Sequence, residues 1–481
     1  MKKIGLVLLV TVVFLVQNCF SQDWVWLFNG NSLDGWKASE NPGSFKLVDG
    51  QIVCAGERSH LFYVGKDGNA DFKNFELELE YKSTQNANSG VFFHTIFQEK
   101  GFPSKGFEAQ IHNTPKESAG YRENKLTGSL YGIRNVYKPI AKDDEWNKMR
   151  IIVQGKQVKI FINEINTVDY VEPLEPPTIS GRPGRKIDHG TFALQCHDPE
   201  SKVYFKNIRV KRLPDNLQSE RKPKEKFSDY ELEIVRLGVA NYPVVNLHTH
   251  LKGGLTLDEA LEESRSNGVF LGIAVNCGIG FPITNDAGIK SFVEQMKGKA
   301  AFFAMQAEGR EWVKLFSKDA IKQFDYVFTD SMTIVDDNGK RMRLWIPQEV
   351  GEIKDKEAFM EMLVDRAVKI LSTEPIDIYV NPTFLPDQIS SEYDKLWTEE
   401  RMQKVINAAA KNGIAIEING RLKLPSLKFI KLAKKTGCKF TMGTNNADRN
   451  IGDLNYCFQM IKEAGLKWQD FWLPTLKKNK I

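Results

Sequence analysis

Two different periodicities divide the chain. Between residues 23 and 212, apolar and polar positions alternate in short runs broken by Gly, Asn, Asp and Pro. This is the pattern of strands with one face on a core. The run Phe75-Glu76-Leu77-Glu78-Leu79-Glu80-Tyr81 shows it most clearly. Its odd positions are apolar and its even positions acidic, so one face packs inward and the other meets water. Runs at 158–162, 190–197 and 203–210 repeat the pattern, and no long helical period intervenes. Together they predict an all-β sandwich over 23–212. From about Val244 the period changes. Short apolar runs at 244–247, 270–275, 301–305, 326–328, 376–380, 414–418 and 439–442 alternate with amphipathic stretches such as 355–371, 399–412 and 427–436. Strands interleaved with helices predict a parallel α/β barrel or a doubly wound sheet over 240–481. In either fold, chemistry gathers at the carboxyl ends of the strands. The stretch between is polar, charged and proline-punctuated at 213–226, so a linker is expected across 213–239.

Composition narrows the function classes. With 481 residues, 42% apolar and 26% charged, the chain is of ordinary globular make-up, which excludes collagen-like and disordered classes. A net charge of +5 on this length offers no footprint for nucleic acid. Met1-Lys2-Lys3 is followed by an apolar run over 4–16, short of the roughly 20 residues of a membrane span. Small residues Cys19 and Ser21 then flank Phe20 at cleavage positions. Residues 1–21 thus read as a secretory signal peptide, and a secreted or periplasmic product is expected. Asn18 stands where a lipoprotein signal needs a small residue before Cys19, so lipidation is not expected. Downstream, Cys54, Cys196, Cys277, Cys438 and Cys457 are odd in number and irregular in spacing, as buried thiols are. No phosphate-binding Gly loop, dinucleotide fingerprint or GxSxG motif is present.

Three strands of the first half carry polar residues that a purely structural strand does not need. Glu108, Gln110 and His112 share one face of their strand, Gln195 and His197 share one face of theirs, and His94 lies with Phe92. Amides, imidazoles and a carboxylate together suit hydrogen bonding to sugar hydroxyls and general acid–base work. An ordinary polar outer face is the plain alternative.

A series of motifs in order carries a resemblance. These are Leu27-Phe28-Asn29-Gly30, Leu33-Asp34-Gly35-Trp36, Asn88-Ser89-Gly90-Val91-Phe92, Phe107-Glu108-Ala109-Gln110-Ile111, Thr127-Gly128-Ser129-Leu130-Tyr131-Gly132, Trp146-Asn147, Ala193-Leu194-Gln195-Cys196-His197 and Phe205-Lys206-Asn207-Ile208-Arg209. Residues 23–212 resemble the 3-keto-disaccharide hydrolase family, a concanavalin-like β-sandwich. His94 replaces an expected Arg and His112 an expected Asp. The resemblance implies cleavage of 3-keto-glycosides. The ketone acidifies the C2 proton, its removal gives an enolate that expels the C1 substituent, and water then adds. Such chemistry needs a base near neutral pKa, an enolate stabiliser and an acid for the leaving group. His112 or His197 is expected as base or acid and Glu108 as a third catalytic group. His94, Gln110, Tyr131 and Gln195 are expected to contact the carbohydrate substrate. A sandwich that only binds glycan is the alternative.

In the second half, Asn246-Leu247-His248-Thr249-His250 ends the first predicted strand, and strand period puts both imidazoles on one side. Glu308 closes the third strand, and Asp330, Asn381-Pro382, Glu417-Ile418-Asn419 and Asn445-Asn446-Ala447-Asp448 close later ones. This order resembles the PHP (polymerase and histidinol phosphatase) family, a seven-stranded barrel of metal-dependent phosphoesterases. The departures are numerous: Val275-Asn276-Cys277, Ser331-Met332-Thr333, Asn381-Pro382 and Asn445-Asn446-Ala447 stand where the family has metal ligands. Only His248, His250 and Glu308 remain of the expected set. Amides are poor transition-metal ligands, so the resemblance implies a PHP-like (β/α)7 barrel with a depleted centre, holding one divalent metal at most or acting as a metal-free binding domain.

Overall fold

A computed structural model describes residues 23–476 apart from 67–69, 118–119, 180–181 and 336–340; the predicted signal peptide lies outside the described residues. The first half folds as two antiparallel sheets. The larger runs Ile165–Val171, Gln157–Ile162, Asn147–Gln154, Phe75–Ser83, Lys202–Arg212, Gln51–Ala55 and Phe45–Val48, with Val25–Phe28 also pairing with Lys202–Arg212. The smaller runs Trp36–Ala38, Ser59–Tyr63, Thr191–Cys196, Ser89–Thr95 and Phe107–Ile111. Phe75, Leu77, Leu79 and Tyr81 are buried in the core between the sheets, as their alternation predicts. The acidic positions are matched to neighbouring strands: Glu76 pairs with Arg150, and Glu78 with Arg209 and Lys148.

The second half is a parallel sheet in the order Val245–His250, Phe270–Cys277, Phe302–Ala307, Tyr326–Thr329, Ile378–Tyr379, Ala415–Asn419 and Phe440–Gly443. The seven strands lie where the apolar runs predict them. The first and last edges meet: Asn445 N donates to His248 O at 2.8 Å, and Asn246 Nδ2 to Thr444 Oγ1 at 2.8 Å. The sheet is therefore a nearly closed barrel rather than an open doubly wound sheet. Helices such as Lys356–Thr373, Glu399–Lys411 and Leu427–Lys435 pack outside it. No helix among the described residues is long and apolar enough to cross a membrane.

The stretch 213–239 is not a loose linker. Its second part forms the helix Asp229–Val239, begun by a capping box in which Ser228 and Glu231 each satisfy the other's backbone N–H. This helix serves both cores: Val235 packs in the sandwich, while Ile234 and Leu237 pack in the barrel. The polar composition of 213–226 hides the amphipathic turn that follows.

A second contact joins the halves. Val136 and Tyr137, from the long loop of the sandwich, belong to an apolar cluster with Val245, Leu247, Phe270, Phe302, Tyr326 and Trp472. They plug the amino-terminal end of the barrel. The Tyr137 ring meets Phe270 edge-on at 6.0 Å. Its hydroxyl donates to Tyr242 O and accepts from Val244 N, each at 3.1 Å. Beside it, Lys138 Nζ lies 2.8 Å from Asp325 Oδ2. Replacing Tyr137 by Ala empties a fully buried site and is expected to destabilise the chain by about 3–5 kcal/mol. Tyr137→Phe should cost about 1–3 kcal/mol, because Val244 N loses its buried partner. Urea unfolding of the full chain measures both, and a Y137A chain as stable as the parent would show the plug to be dispensable.

Candidate active site

The smaller sheet of the sandwich turns one face to the core and the other outward. On the outward face, Phe62, Phe92 and Ala193 form a small apolar cluster of their own. Around it stand Glu108 and Gln110, Gln195, His197 and His60. The predicted sharing of faces by Glu108 with Gln110 and by Gln195 with His197 is what the strands show. Glu108 lies directly over Gly90: a Cβ there would come within 2.6 Å of Glu108 Oε1. The glycine of the Asn88-Ser89-Gly90 motif therefore makes room for the carboxylate.

The open edge of Phe107–Ile111 is covered by the loop over 127–131. Tyr131 N donates to Glu108 O at 3.0 Å, and Gln110 N to Ser129 O at 3.0 Å. This pairing carries in a group that strand periodicity does not reveal. Glu123 and Lys125 form an ion pair of 2.7 Å with both side chains buried. Glu123 Oε2 also accepts the hydroxyls of Tyr131 at 2.7 Å and Tyr121 at 2.9 Å. The Lys125 ammonium stands 4.6 Å from the centre of the Tyr131 ring. Arg182 lies 4.0 Å from Glu108 Oε2 and 5.2 Å from the same ring. Glu123, Lys125, Arg182 and His60 were not predicted. They sit in irregular segments or, for His60, on a strand with no second polar residue to mark its face.

Burial and charge set the protonation of the cluster. Burial raises the Glu108 carboxyl above the usual carboxylate range, against the pull of Arg185 and Arg182. Burial also pushes Glu123 up, but the Lys125 charge and hydrogen bond outweigh it and hold Glu123 ionised. Burial lowers His60 to about 4 and lowers His112. His112 Nδ1 is 3.0 Å from Ala87 O, which assigns the proton to Nδ1 and leaves Nε2 a lone pair. His112 Nε2, Gln110 Oε1, Gln195 Oε1 and both ring nitrogens of His60 are buried with no partner within the protein. His197 stands at the rim, about one-third exposed, with Nδ1 2.6 Å from Asp198 Oδ2. Asp198 is in turn fixed by Ser201 Oγ and by the backbone N–H of Glu200 and Ser201.

His94 is not part of this face. Alternation places it with Phe92, but its backbone takes a positive φ of 54° and the pairing register shifts there. The bulge turns the ring to the core side, 5.6 Å from Phe75, where Nε2 meets Lys73 O at 2.8 Å. The substrate contact expected of His94 is therefore withdrawn.

The carboxyl end of the barrel holds a second polar cluster. His248 and His250 do share a side, with ring centres 5.3 Å apart. His248 Nδ1 lies 2.7 Å from Glu417 Oε1, and both side chains are buried. Glu417 Oε2 accepts from Asn381 N at 3.0 Å and Asn419 Nδ2 at 3.1 Å. Glu308 is instead bound by Asn276 Nδ2 at 2.7 Å and Gln306 Nε2 at 2.9 Å. Among the described residues, no three His, Cys, Asp or Glu side chains are grouped to hold a metal ion. The predicted set of His248, His250 and Glu308 is thus not assembled as a metal site. Amides occupy Glu308, and Glu417, which the sequence reading did not select as a site residue, takes His248. Among the described residues, Cys54, Cys196, Cys277, Cys438 and Cys457 are buried and free.

Burial, then the neighbouring Asp330 charge, hold the Glu308 carboxyl well above its ordinary value. A carboxyl raised in the folded state favours folding fully below its unfolded pKa and less as pH climbs towards the raised one. Glu308→Gln removes that ionisation. Its stability relative to the parent should therefore increase from pH 5 to pH 8, as followed by denaturant midpoints. A constant difference across this range would show that Glu308 is not raised.

Residues 23–211 match the family described as 3-keto-alpha-glucoside-1,2-lyase-like domain. A 3-keto-disaccharide hydrolase of Bacteroides thetaiotaomicron is 27% identical over 231 residues, covering 40% of this chain and 78% of the relative. A solved structure from Parabacteroides distasonis, described as a candidate glycosyl hydrolase, is 25% identical with a TM-score of 0.35, covering 40% of this chain and 94% of that one. A carbohydrate-binding module from Bacillus subtilis is 14% identical with a TM-score of 0.26, covering 37% and 95%.

Proposed function

We propose that the sandwich, a 3-keto-disaccharide hydrolase-like domain with carbohydrate-active relatives, cleaves 3-keto-glycosides on the outward face of its smaller sheet. The observation that carries this reading is the His197–Asp198 pair at the rim of the face that also holds a buried carboxyl of raised pKa, Glu108. Asp198 holds the Nδ1 proton, so Nε2 presents a lone pair to the open side. His197 takes the C2 proton. The electron pair moves into the C2–C3 bond and gives an enolate on O3, which the Arg182 guanidinium beside Glu108 stabilises. The enolate then reforms the ketone, makes a C1–C2 double bond and breaks the C1–O bond. Glu108, whose carboxyl burial raises, gives its proton to the departing oxygen. Water adds across the double bond, with hydroxyl to C1 and proton to C2. Gln110 and Gln195, each with an unpartnered buried carbonyl oxygen, accept from sugar hydroxyls. His112, less open than His197, takes the same accepting role through Nε2.

For the barrel we propose a PHP-like scaffold without the phosphoesterase centre. Its positions at the strand ends support the likeness, and the tying of His248 by Glu417 and of Glu308 by amides supports the loss. Export of the chain, directed by residues 1–21, belongs to the same proposal.

The test uses the full chain with a chromogenic 3-keto-glucoside and its unoxidised parent. Release is expected from the keto substrate alone and should survive chelator. His197→Ala should lower the rate by about 10²–10⁴-fold. No release with sugar binding retained would favour a glycan-binding module instead.

A further inference from the structure

The buried Lys125 is held from outside the sandwich. Asn241 follows the helix that leads into the barrel and has φ 66°, a left-handed conformation that asparagine tolerates. Its side chain is buried against the loop over 122–125 of the sandwich. Asn241 Oδ1 accepts from Asn124 N at 3.0 Å and from Lys125 Nζ at 3.0 Å. Asn241 Nδ2 donates to Arg122 O at 2.8 Å, and its carbonyl accepts from Asn124 Nδ2 at 2.9 Å. Both acceptor positions of Oδ1 and one N–H of Nδ2 are thus engaged by the loop that carries Lys125.

The contacts continue to the reaction face. An ammonium has three protons to place. Lys125 directs one to Glu123 Oε1 at 2.7 Å and one to Asn241 Oδ1, and its charge faces the Tyr131 ring. The other oxygen of Glu123 receives the Tyr131 and Tyr121 hydroxyls. Tyr131 is bonded through its backbone to Glu108. At the far end, the Tyr121 ring meets Trp468 of the barrel edge-on at 5.8 Å. The cluster is therefore gripped by the barrel at both ends.

We propose that Asn241 is a positioning residue for the sandwich site: it fixes the Lys125–Glu123 pair that seats Tyr131 beside Glu108, so the barrel domain completes the site. The proposal rests on the reading of this face as the reaction site. The charged and titratable groups facing Lys125 are Glu123, Glu108, Arg182 and Tyr131, with Tyr121 joined through Glu123. Burial already lowers Lys125 against the pull of Glu123. Removing a neutral acceptor lowers it further, and a carboxylate in the same place raises it.

The experiment compares the full chain with Asn241→Ala and Asn241→Asp. Lys125 is titrated by carbon NMR of labelled lysine side chains, its signal assigned by its loss in Lys125→Arg, and keto-glucoside release is measured against pH. In N241A the Lys125 titration should fall by about one pH unit or more, and the alkaline limb of the rate should move with it, leaving the rate at lower pH within a few-fold. N241D should move both the other way. A purely structural role would lower the rate evenly across pH and leave the Lys125 titration in place, which overturns the proposal. If N241A does not fold, the direction seen in N241D decides. If the parent releases nothing from the keto-glucoside while Lys125 still responds to Asn241, the clasp stands and the functional reading fails alone.

Discussion

A charged pair buried where sandwich and barrel meet governs much of the arrangement. Taking an ammonium and a carboxylate out of water costs several kcal/mol per ion, recovered only with close pairing and with the remaining protons and lone pairs satisfied. Lys125 and Glu123 meet that demand with two tyrosine hydroxyls, an aromatic face and an amide from the other domain. The long loop of the sandwich has little regular structure, so these polar contacts and the Tyr137 plug hold it in shape. The same loop covers the edge of the sheet that carries Glu108. A requirement of burial thus places the polar groups of the outward face.

The periodic parts of both folds were legible in the sequence because burial imposes a period. Alternation at Phe75–Ser83 and the apolar runs of the barrel follow directly from one-sided and two-sided burial. Two features escaped for physical reasons. A bulge at His94 shifts the side chain across the sheet, and composition carries no mark of it. The helix Asp229–Val239 follows a highly polar stretch, although Ser228 and Glu231 supply a readable capping signal.

The site was legible where it rests on strands and hidden where it rests on loops. Glu108, Gln110, Gln195 and His197 could be placed together because strand period orients them. Glu123 and Lys125 lie two apart in a segment without period, and their partner Asn241 is more than a hundred residues away. In the barrel, His248 and His250 were correctly placed on one side, but the sequence could not show that Glu417 would take one of them. Amides at the neighbouring strand ends give a network in which carboxylates are satisfied by donors from within the protein.

The plug at the base of the barrel also sets which way the barrel faces. Val136, Tyr137 and Trp472 fill the amino-terminal end of the barrel interior, so apolar side chains close that end. The sandwich docks against the closed end. The polar cluster of His248 and Glu417 lies beyond this plug, at the opposite end of the barrel from the sandwich. The two halves are thus joined at that end through packed apolar side chains, and the polar mouth of the barrel faces away from the sandwich.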